Sequence, residues 1–505
     1  MLSIFDKGGH APCPTPFNLA AHVLARAEDD PDKIALAILS PSGSERWSYG
    51  RLKAAILGIG TGLLQAGFQP GDILLMRLGN TVDFPLAYLG AIAVGMVPVP
   101  TSSMLTAPEV QRMMDQLSPA GVLHDPQIAC PQTDIPVLDI AQLTAMHDLP
   151  PAAYHMGDPE RLAYIIYTSG TSGVPRAVMH AHRAIWARQM MHRDWYGLSA
   201  QDRLLHAGAF NWSFTLGTGL MDPWSVGATA LIPAQGVQIE ALPLLLHRHD
   251  ASLFAAVPGV YRKILIHHTK INLPKLRHGL AAGEKLSDTI RTHWAEATGG
   301  KKIYEAYGLS ECSTFISSSP DAPAIAGSLG RPQIGRKVSI IDEEGPVGTG
   351  KDGIICVHRS DPGLMLGYFG APDETAQKFQ GDWFMTGDHA EMTPQGDIVL
   401  HGRVDDMMNA GGYRVSPLEI EAALLPHPAI QEIGVTDVEI KEDTRIIVAF
   451  YRADTEIPAA DLTRYAAERL ARYKQPRAWV RLTEMPTNPN GKLSRRALKP
   501  LFNGI

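Results

Sequence analysis

The stretch Ala163-Tyr-Ile-Ile-Tyr-Thr-Ser-Gly-Thr-Ser-Gly-Val-Pro-Arg-Ala-Val178 decides how the rest of the chain is read. Ala163 to Tyr167 is a short apolar run that suits a buried strand. The run gives way to Thr168-Ser169-Gly170-Thr171-Ser172-Gly173. Glycines let backbone N–H groups approach an anion closely, and hydroxyls add donors without bulk. Pro175 stiffens the exit, and Arg176 sets a permanent cation beside the turn. The stretch lacks the G-x-x-x-x-G-K-[ST] order of a Walker loop. Taken alone, such a hexamer also fits an ordinary surface loop.

Outward from this stretch, strands and helices alternate. Helices are expected at Asn18 to Arg26, Tyr49 to Gly67, Val82 to Val94 and Pro108 to Leu117. Strands are expected at Ile34 to Leu39, Asp72 to Leu78, Val97 to Val99, Gly121 to His124, Arg203 to His206, Thr229 to Ile232 and Leu253 to Val257. That alternation implies parallel crossovers in a doubly wound α/β architecture. After about Gly327 short alternating strands take over: Lys337 to Asp342, Gly353 to His358, Trp383 to Thr386 and Asp397 to Leu400. They predict a small antiparallel β subdomain over 327–404, closing a large N-terminal domain, 1–404. Gly348 to Gly353 matches G-x-G-x-x-G, but a strand follows it, so it reads as a hairpin turn. Residues 405–505 read as a separate α+β unit, with helices at Leu418 to Leu425 and Ala459 to Tyr473 and strands at Ile430 to Thr436 and Arg445 to Tyr451.

Composition narrows the function. The 505 residues are 45% hydrophobic and carry a net charge of −7, which argues against a nucleic-acid binder held by bulk charge. Cys13, Cys130, Cys312 and Cys356 are far apart and form no C-x-x-C, so a reduced cytoplasmic setting is expected. Met1 to Lys7 has neither a long apolar core nor a cationic lead, so no signal peptide is expected. The most apolar window, Leu86 to Pro100, is shorter than the roughly 20 residues a bilayer span needs, so no membrane partner is expected. His180-Ala-His182 and His247-Arg-His249 lack a matching carboxylate or Cys and read as surface or structural histidines.

Three further stretches make the opening one specific: Tyr304-Glu-Ala-Tyr-Gly-Leu-Ser-Glu-Cys312, Trp383 to Asp388 followed by Gly402 to Arg414, and Pro486 to Arg496. In this order they resemble the adenylate-forming superfamily of acyl-CoA synthetases, luciferases and peptide-synthetase adenylation domains, over nearly the whole chain. The resemblance implies a reaction in two halves. A carboxylate attacks the α-phosphate of ATP, giving an acyl-adenylate and pyrophosphate; a thiol, commonly that of coenzyme A, then displaces AMP. ATP, Mg²⁺ and coenzyme A are the implied cofactor and co-substrates, with a small carboxylic acid as the other partner.

The same resemblance assigns residues. Thr168 to Gly173 (Thr168, Ser169, Gly170, Thr171, Ser172, Gly173) would cradle the β- and γ-phosphates, with Arg176 where the family usually has Lys and Ala177 where it has Gly. Glu311 would hold Mg²⁺, a hard cation that wants oxygen ligands. Tyr307 would stack on adenine, and Asp388 and Arg403 would meet the ribose. Gly283, Glu284, Lys285, Glu305, Ala306, Gly308, Leu309 and Ser310 complete the nucleotide set, Lys285 standing where the family often has Pro. Lys492 is the expected catalytic cation, carried in from the small domain. Asp405 would be the hinge for its rotation, and Gly411, Gly412, Tyr413 and Arg414 would line the pantetheine tunnel.

Phe210, Asn211, Trp212, Val257, Pro258, Gly259, Ala282 and Gly308 would line the acyl pocket. Acetate-specific relatives carry Trp where this chain has Gly308, so an acid larger than acetate, medium-chain or aromatic, is expected. Phe210, Trp212 and Phe214 either wall that pocket or belong to the core. Pro486 and Gly491-Lys492 fit a P-x-x-x-x-G-K pattern that resembles an acetylation site, so a lysine acetyltransferase is a further expected partner. A stand-alone enzyme that loads a carrier protein is the alternative, and a monomer or homodimer is expected.

Overall fold

The computed structural model describes residues 1–168, 175–403, 408–410, 413–441, 444–470, 472–488 and 492–502. Near-continuous apolar runs such as Leu253–Ala256, buried on both faces, build the middle of a nine-stranded sheet. Its order is Arg331–Pro332, Ser313–Ser317, Ile303–Leu309, His278–Ala282, Leu253–Ala256, Arg203–His206, Thr229–Pro233, Ile34–Ser40 and Gly43–Ser48. The strands from Ile303–Leu309 to Ile34–Ser40 run parallel, and antiparallel strands close both edges. A second, all-parallel sheet is ordered Val97–Pro100, Ile73–Arg77, Gly121–His124 and Val137–Asp139. The alternation therefore yields the expected parallel crossovers, distributed over two sheets.

The most apolar window spans the end of a helix, Asp83–Ala93, in which every residue is buried, and the buried strand Val97–Pro100. The helix packs on Tyr49–Gln65, whose first turn is capped by Ser48 accepting from the Arg51 N–H. Among the described residues no helix is long and apolar enough to cross a membrane.

The opening stretch is a hairpin. Leu162–Thr168 returns antiparallel as Arg176–Ala181, with Thr168 opposite Arg176. Gly367–Tyr368 adds a third strand by pairing with Val178 and Met179. Lys337–Asp342, Asp352–His358, Trp383–Met392 and Ile398–Arg403 form an antiparallel sheet. The short strand Ile4–Asp6 joins its edge against Lys337–Asp342. Gly348 to Gly353 leads into a strand, as its hairpin reading required.

Toward the C-terminus, Glu432–Lys441 and Thr444–Arg452 pair antiparallel, and Ala478–Arg481 adds in parallel. The helix Pro417–Leu424, capped by Ser416, packs on them around Val435, Ile447 and Ala449. The last expected helix ends at Ala467, not Tyr473. Leu470 turns inward to the same core, and Arg472–Lys474 follows as a 3₁₀ turn.

Candidate active site

Lys492 is tied through its backbone to Asn488. The Asn488 N–H donates to the Lys492 carbonyl at 2.8 Å, and the Lys492 N–H donates to Asn488 Oδ1 at 3.0 Å. The side chain leaves its own segment and enters the large parallel-sheet body. Its Cε lies 3.4 Å from where a Cβ on Gly283 would stand. Gly283 has φ +95°, so a side chain there would be strained as well as crowding the lysine. Burial pulls the Lys492 pKa down, while the Glu284 carboxylate beside it pulls up. Burial in turn pushes Glu284 up, opposed by Lys492, by Arg262 and by the Leu493 N–H. Arg262 also holds Glu432 at 3.1 Å. The Arg262–Glu432 ion pair thus joins the C-terminal segment to the large body, and the opposite charges of Lys492 and Glu284 act across the same boundary.

The expected ribose pair comes from strand register. Asp388 lies opposite Arg403 on neighbouring antiparallel strands, with Arg403 Nη1 3.7 Å from its carboxylate. Asp388 accepts the Tyr307 hydroxyl at 2.6 Å, and its N–H donates to Thr386 Oγ1 at 3.1 Å. The Tyr307 ring meets Phe315 edge-on at 5.5 Å.

Glu311 accepts the Tyr368 hydroxyl at 2.8 Å. Tyr368 stands 5.4 Å under the Arg176 guanidinium, which is paired with Glu374. The cation expected beside the phosphate turn therefore already has a carboxylate partner. Tyr368 and Glu374 were not legible beforehand, since they lie almost 200 residues from Arg176 with no local motif. Among the described residues no cluster of three or more metal-ligating side chains occurs. A single carboxylate such as Glu311 still suits Mg²⁺, which takes one or two carboxylates and completes its shell with waters and substrate phosphates.

A cavity of about 110 Å³ opens beside Lys492. Of the expected acyl set, Trp212, Ala282 and Gly308 line it, as do Phe214, Leu309 and Ser310. Phe210 is a correction: it is 1% exposed and stacks on Phe84 at 6.0 Å, inside the core. Asn211, Val257, Pro258 and Gly259 also fall outside the lining; Val257 reaches only the Gly283 rim. Gly308 lines the cavity as expected and has a second constraint. A Cβ there would collide with the Ser313 carbonyl and the Thr314 Cα, because the antiparallel strands close on each other at a bulge. Here the glycine serves that close approach before it serves pocket size. The lining residues missed from sequence include Tyr88, Tyr164, His180, Arg188, Thr218 and Met221.

The side chain of Glu305 is also committed elsewhere. It accepts the Leu286 N–H at 2.7 Å and pairs with Arg291 at 2.5 Å. Burial pushes its carboxyl up to about 7. Lys285 borders a separate groove, between the large body and the helix Pro417–Leu424. His180 and His182 are buried, and His182 Nδ1 accepts the Leu19 N–H at 3.0 Å. Ser169, Gly170, Thr171, Ser172, Gly173, Asp405, Gly411 and Gly412 lie outside the described residues. Of Tyr413 and Arg414 the backbone is described, in a strand paired with Met408–Ala410.

A family of AMP-binding enzymes matches residues 23–369, and the AMP-binding enzyme C-terminal domain matches residues 419–492. The chain is 29% identical to the benzoate–CoA ligase of Thauera aromatica over 478 residues, covering 90% of each protein. It is 28% identical to the 3-hydroxybenzoate–CoA ligase of Aromatoleum sp. (strain CIB), covering 91% of this chain and 92% of that one. Among solved structures, a benzoate CoA ligase from Burkholderia xenovorans LB400 superposes with a TM-score of 0.84 at 26% identity, over 96% of this chain and 100% of the other.

Proposed function

From the premise that this chain belongs to the family of AMP-binding enzymes, we propose that it joins a compact carboxylic acid, most simply a single-ring aromatic one, to coenzyme A at the cost of ATP. It is an AMP-forming acid–thiol ligase, and relatives named as benzoate– and hydroxybenzoate–CoA ligases support an aromatic substrate. The observation that carries this reading is Lys492, a cation buried under the influence of the Glu284 carboxylate and lining an aromatic-walled cavity. The cavity of about 110 Å³ is walled by Tyr88, Tyr164, Trp212 and Phe214, surfaces against which a flat ring stacks.

In this reading the acid seats in the cavity with its carboxylate toward Lys492. The ammonium neutralises charge as the carboxylate attacks the α-phosphate, in a low-dielectric place where a fixed charge counts most. Tyr307 lies against the adenine, Asp388 and Arg403 take the ribose, and Thr168, with the glycine-rich turn after it, takes the outer phosphates. Glu311 holds Mg²⁺, which supplies charge neutralisation at the phosphates when bound. Residues 405–505 then turn about Asp405, and Gly411 to Arg414 guide the thiol in. Acetylation of Lys492 would remove its charge and stop the first half-reaction. The reduced state of all four cysteines suits a cytoplasmic enzyme, working as a monomer or homodimer.

The test is pyrophosphate release over a panel of short, branched, medium-chain and aromatic acids, with and without coenzyme A. Wild type should release pyrophosphate only with acid present and convert coenzyme A to a thioester. Lys492→Ala should lose about 10²- to 10³-fold in adenylation. Adenylation without thioester would shift the reading to carrier-protein loading, and equal rates in both proteins would remove Lys492 from the mechanism.

A further inference from the structure

The acyl cavity has polar groups that the ligase chemistry does not use. His180, on the strand Arg176–Ala181, is 3% exposed. Its Nε2 lies 2.7 Å from the Ser310 carbonyl oxygen. A carbonyl can only accept, so Nε2 carries the ring proton and Nδ1 is a bare lone pair. That Nδ1 is buried and has no hydrogen-bond partner among the described residues. Burial holds the ring pKa down to about 4, so it stays neutral near pH 7.

The neighbouring rings repeat the pattern. His180 stacks on Tyr164 at 4.9 Å, and Tyr164 tilts against Tyr88 at 6.0 Å. The Tyr88 hydroxyl, 1% exposed, is likewise buried without a partner. Both residues line the cavity. Buried polar groups in folded proteins are nearly always paired, so two unpaired ones lining one cavity point to a ligand that completes them.

Among the described residues, one cation besides Lys492 lines the cavity, and it narrows what that ligand is. Arg188 gives Nε and Nη2 to Asp222 at 2.7 and 2.6 Å, and Nη2 also to Thr218 Oγ1 at 3.2 Å. Nη1 donates to the Ser313 hydroxyl. Tyr196 donates to the same Asp222 at 2.8 Å. The guanidinium passes where Gly217 lacks a side chain, since a Cβ there would collide with it. Its charge is already matched. A second carboxylate on the acid would add an unmatched buried charge, and it has no proton to give to His180.

We propose that the acid bound here carries a neutral hydrogen-bond donor, a hydroxyl or primary amino group, that donates to His180 Nδ1, with Tyr88 as a second polar contact. This rests on the acid–CoA ligase reading and names its substrate class: a hydroxy- or amino-substituted monocarboxylate, in preference to a hydrocarbon acid or a dicarboxylate. A site built around a hydrogen bond rejects an analogue lacking it because its own buried group is then left bare.

The experiment measures kcat/KM for thioester formation with benzoate, its ortho, meta and para hydroxy and amino derivatives, the matching chlorobenzoates and phthalate. Wild type should prefer one hydroxy or amino isomer over benzoate and over its chloro counterpart by about 10- to 100-fold. His180→Phe keeps a ring to stack on Tyr164 and removes the acceptor. It should bring that ratio to within about threefold of unity, and Tyr88→Phe should lower it by a smaller factor. A merely structural role for His180 would slow all acids together and leave the ratio intact, which would overturn the proposal. Turnover of benzoate without any preference keeps the ligase reading and overturns this one. Silence toward every acid, from protein that melts cooperatively, overturns both.

Discussion

Arg188 and Arg176 each pair with a carboxylate, and the two pairs differ in how far water reaches them. The side chains of Arg188 and Asp222 are 9% and 0% exposed, and those of Arg176 and Glu374 are 27% and 47% exposed. In the first pair, Tyr196, Thr218 and Ser313 occupy the remaining donors and acceptors. Such a pair cannot exchange partners without stranding a charge, so it acts as a fixed wall of the cavity beside Lys492. In the second pair water screens the attraction, and the arginine can leave its carboxylate for a better anion. A phosphate is such an anion, since a guanidinium matches it with two parallel donors. One pair shapes the site, and the other waits beside it.

The contrast breaks most severely at Asp222. Burial alone would raise its carboxyl, but Arg188 and His192 hold it down to about 2. Asp222→Ala leaves a buried guanidinium uncompensated, and should cost about 3–5 kcal/mol in urea denaturation at pH 7. A loss under about 1 kcal/mol would mean that water reaches Arg188 after all.

A second prediction sharpens the contrast through the histidines of the same interior. Burial lowers His180 to about 4 and His182 and His206 to about 3. Between these values and the ordinary 6.5 the unfolded chain binds protons that the folded one refuses. The three rings' share of the stability is thus complete above about pH 6.5 and declines as pH falls toward 3, by up to about 1.4 kcal/mol per pH unit for each ring. The denaturation midpoint should be lower at pH 5 than at pH 7; a flat profile would contradict the burial of these rings as neutral groups.

The smallest effect is expected at the exposed pair. Glu374→Gln should leave Tm nearly unchanged and, by releasing Arg176, lower the KM for ATP about two- to fivefold. A higher KM would show instead that Glu374 positions Arg176 for the nucleotide.

The motif-bearing half of this site could be read from sequence. Asp388 and Arg403 sit in segments of recognisable order, and strand pairing places them opposite each other. Lys492 was legible for the same reason, as the lysine of a glycine-preceded turn. The cavity beside Lys492 was not. Tyr88, His180 and Arg188 come from separate parts of the chain with no shared spacing, and none carries a motif of its own. Phe210 misled because an aromatic near a pocket-forming segment can turn either way, and Phe84 already offered it a stacking partner. Gly308 was legible as a lining residue, but the close approach of the neighbouring strand that also requires a glycine there was not.

The strand Ile4–Asp6 has a consequence in time. Its hydrogen-bonding partner, Lys337–Asp342, is more than 300 residues further along. At ribosomal rates of about 5–20 residues per second, that partner emerges roughly 15 to 70 s later. Throughout that interval Phe5, buried in the finished protein, has no sheet to cover it. The nascent chain thus carries a sticky segment near one end while its parallel sheets assemble, and its docking marks the moment at which the antiparallel sheet is complete at that edge.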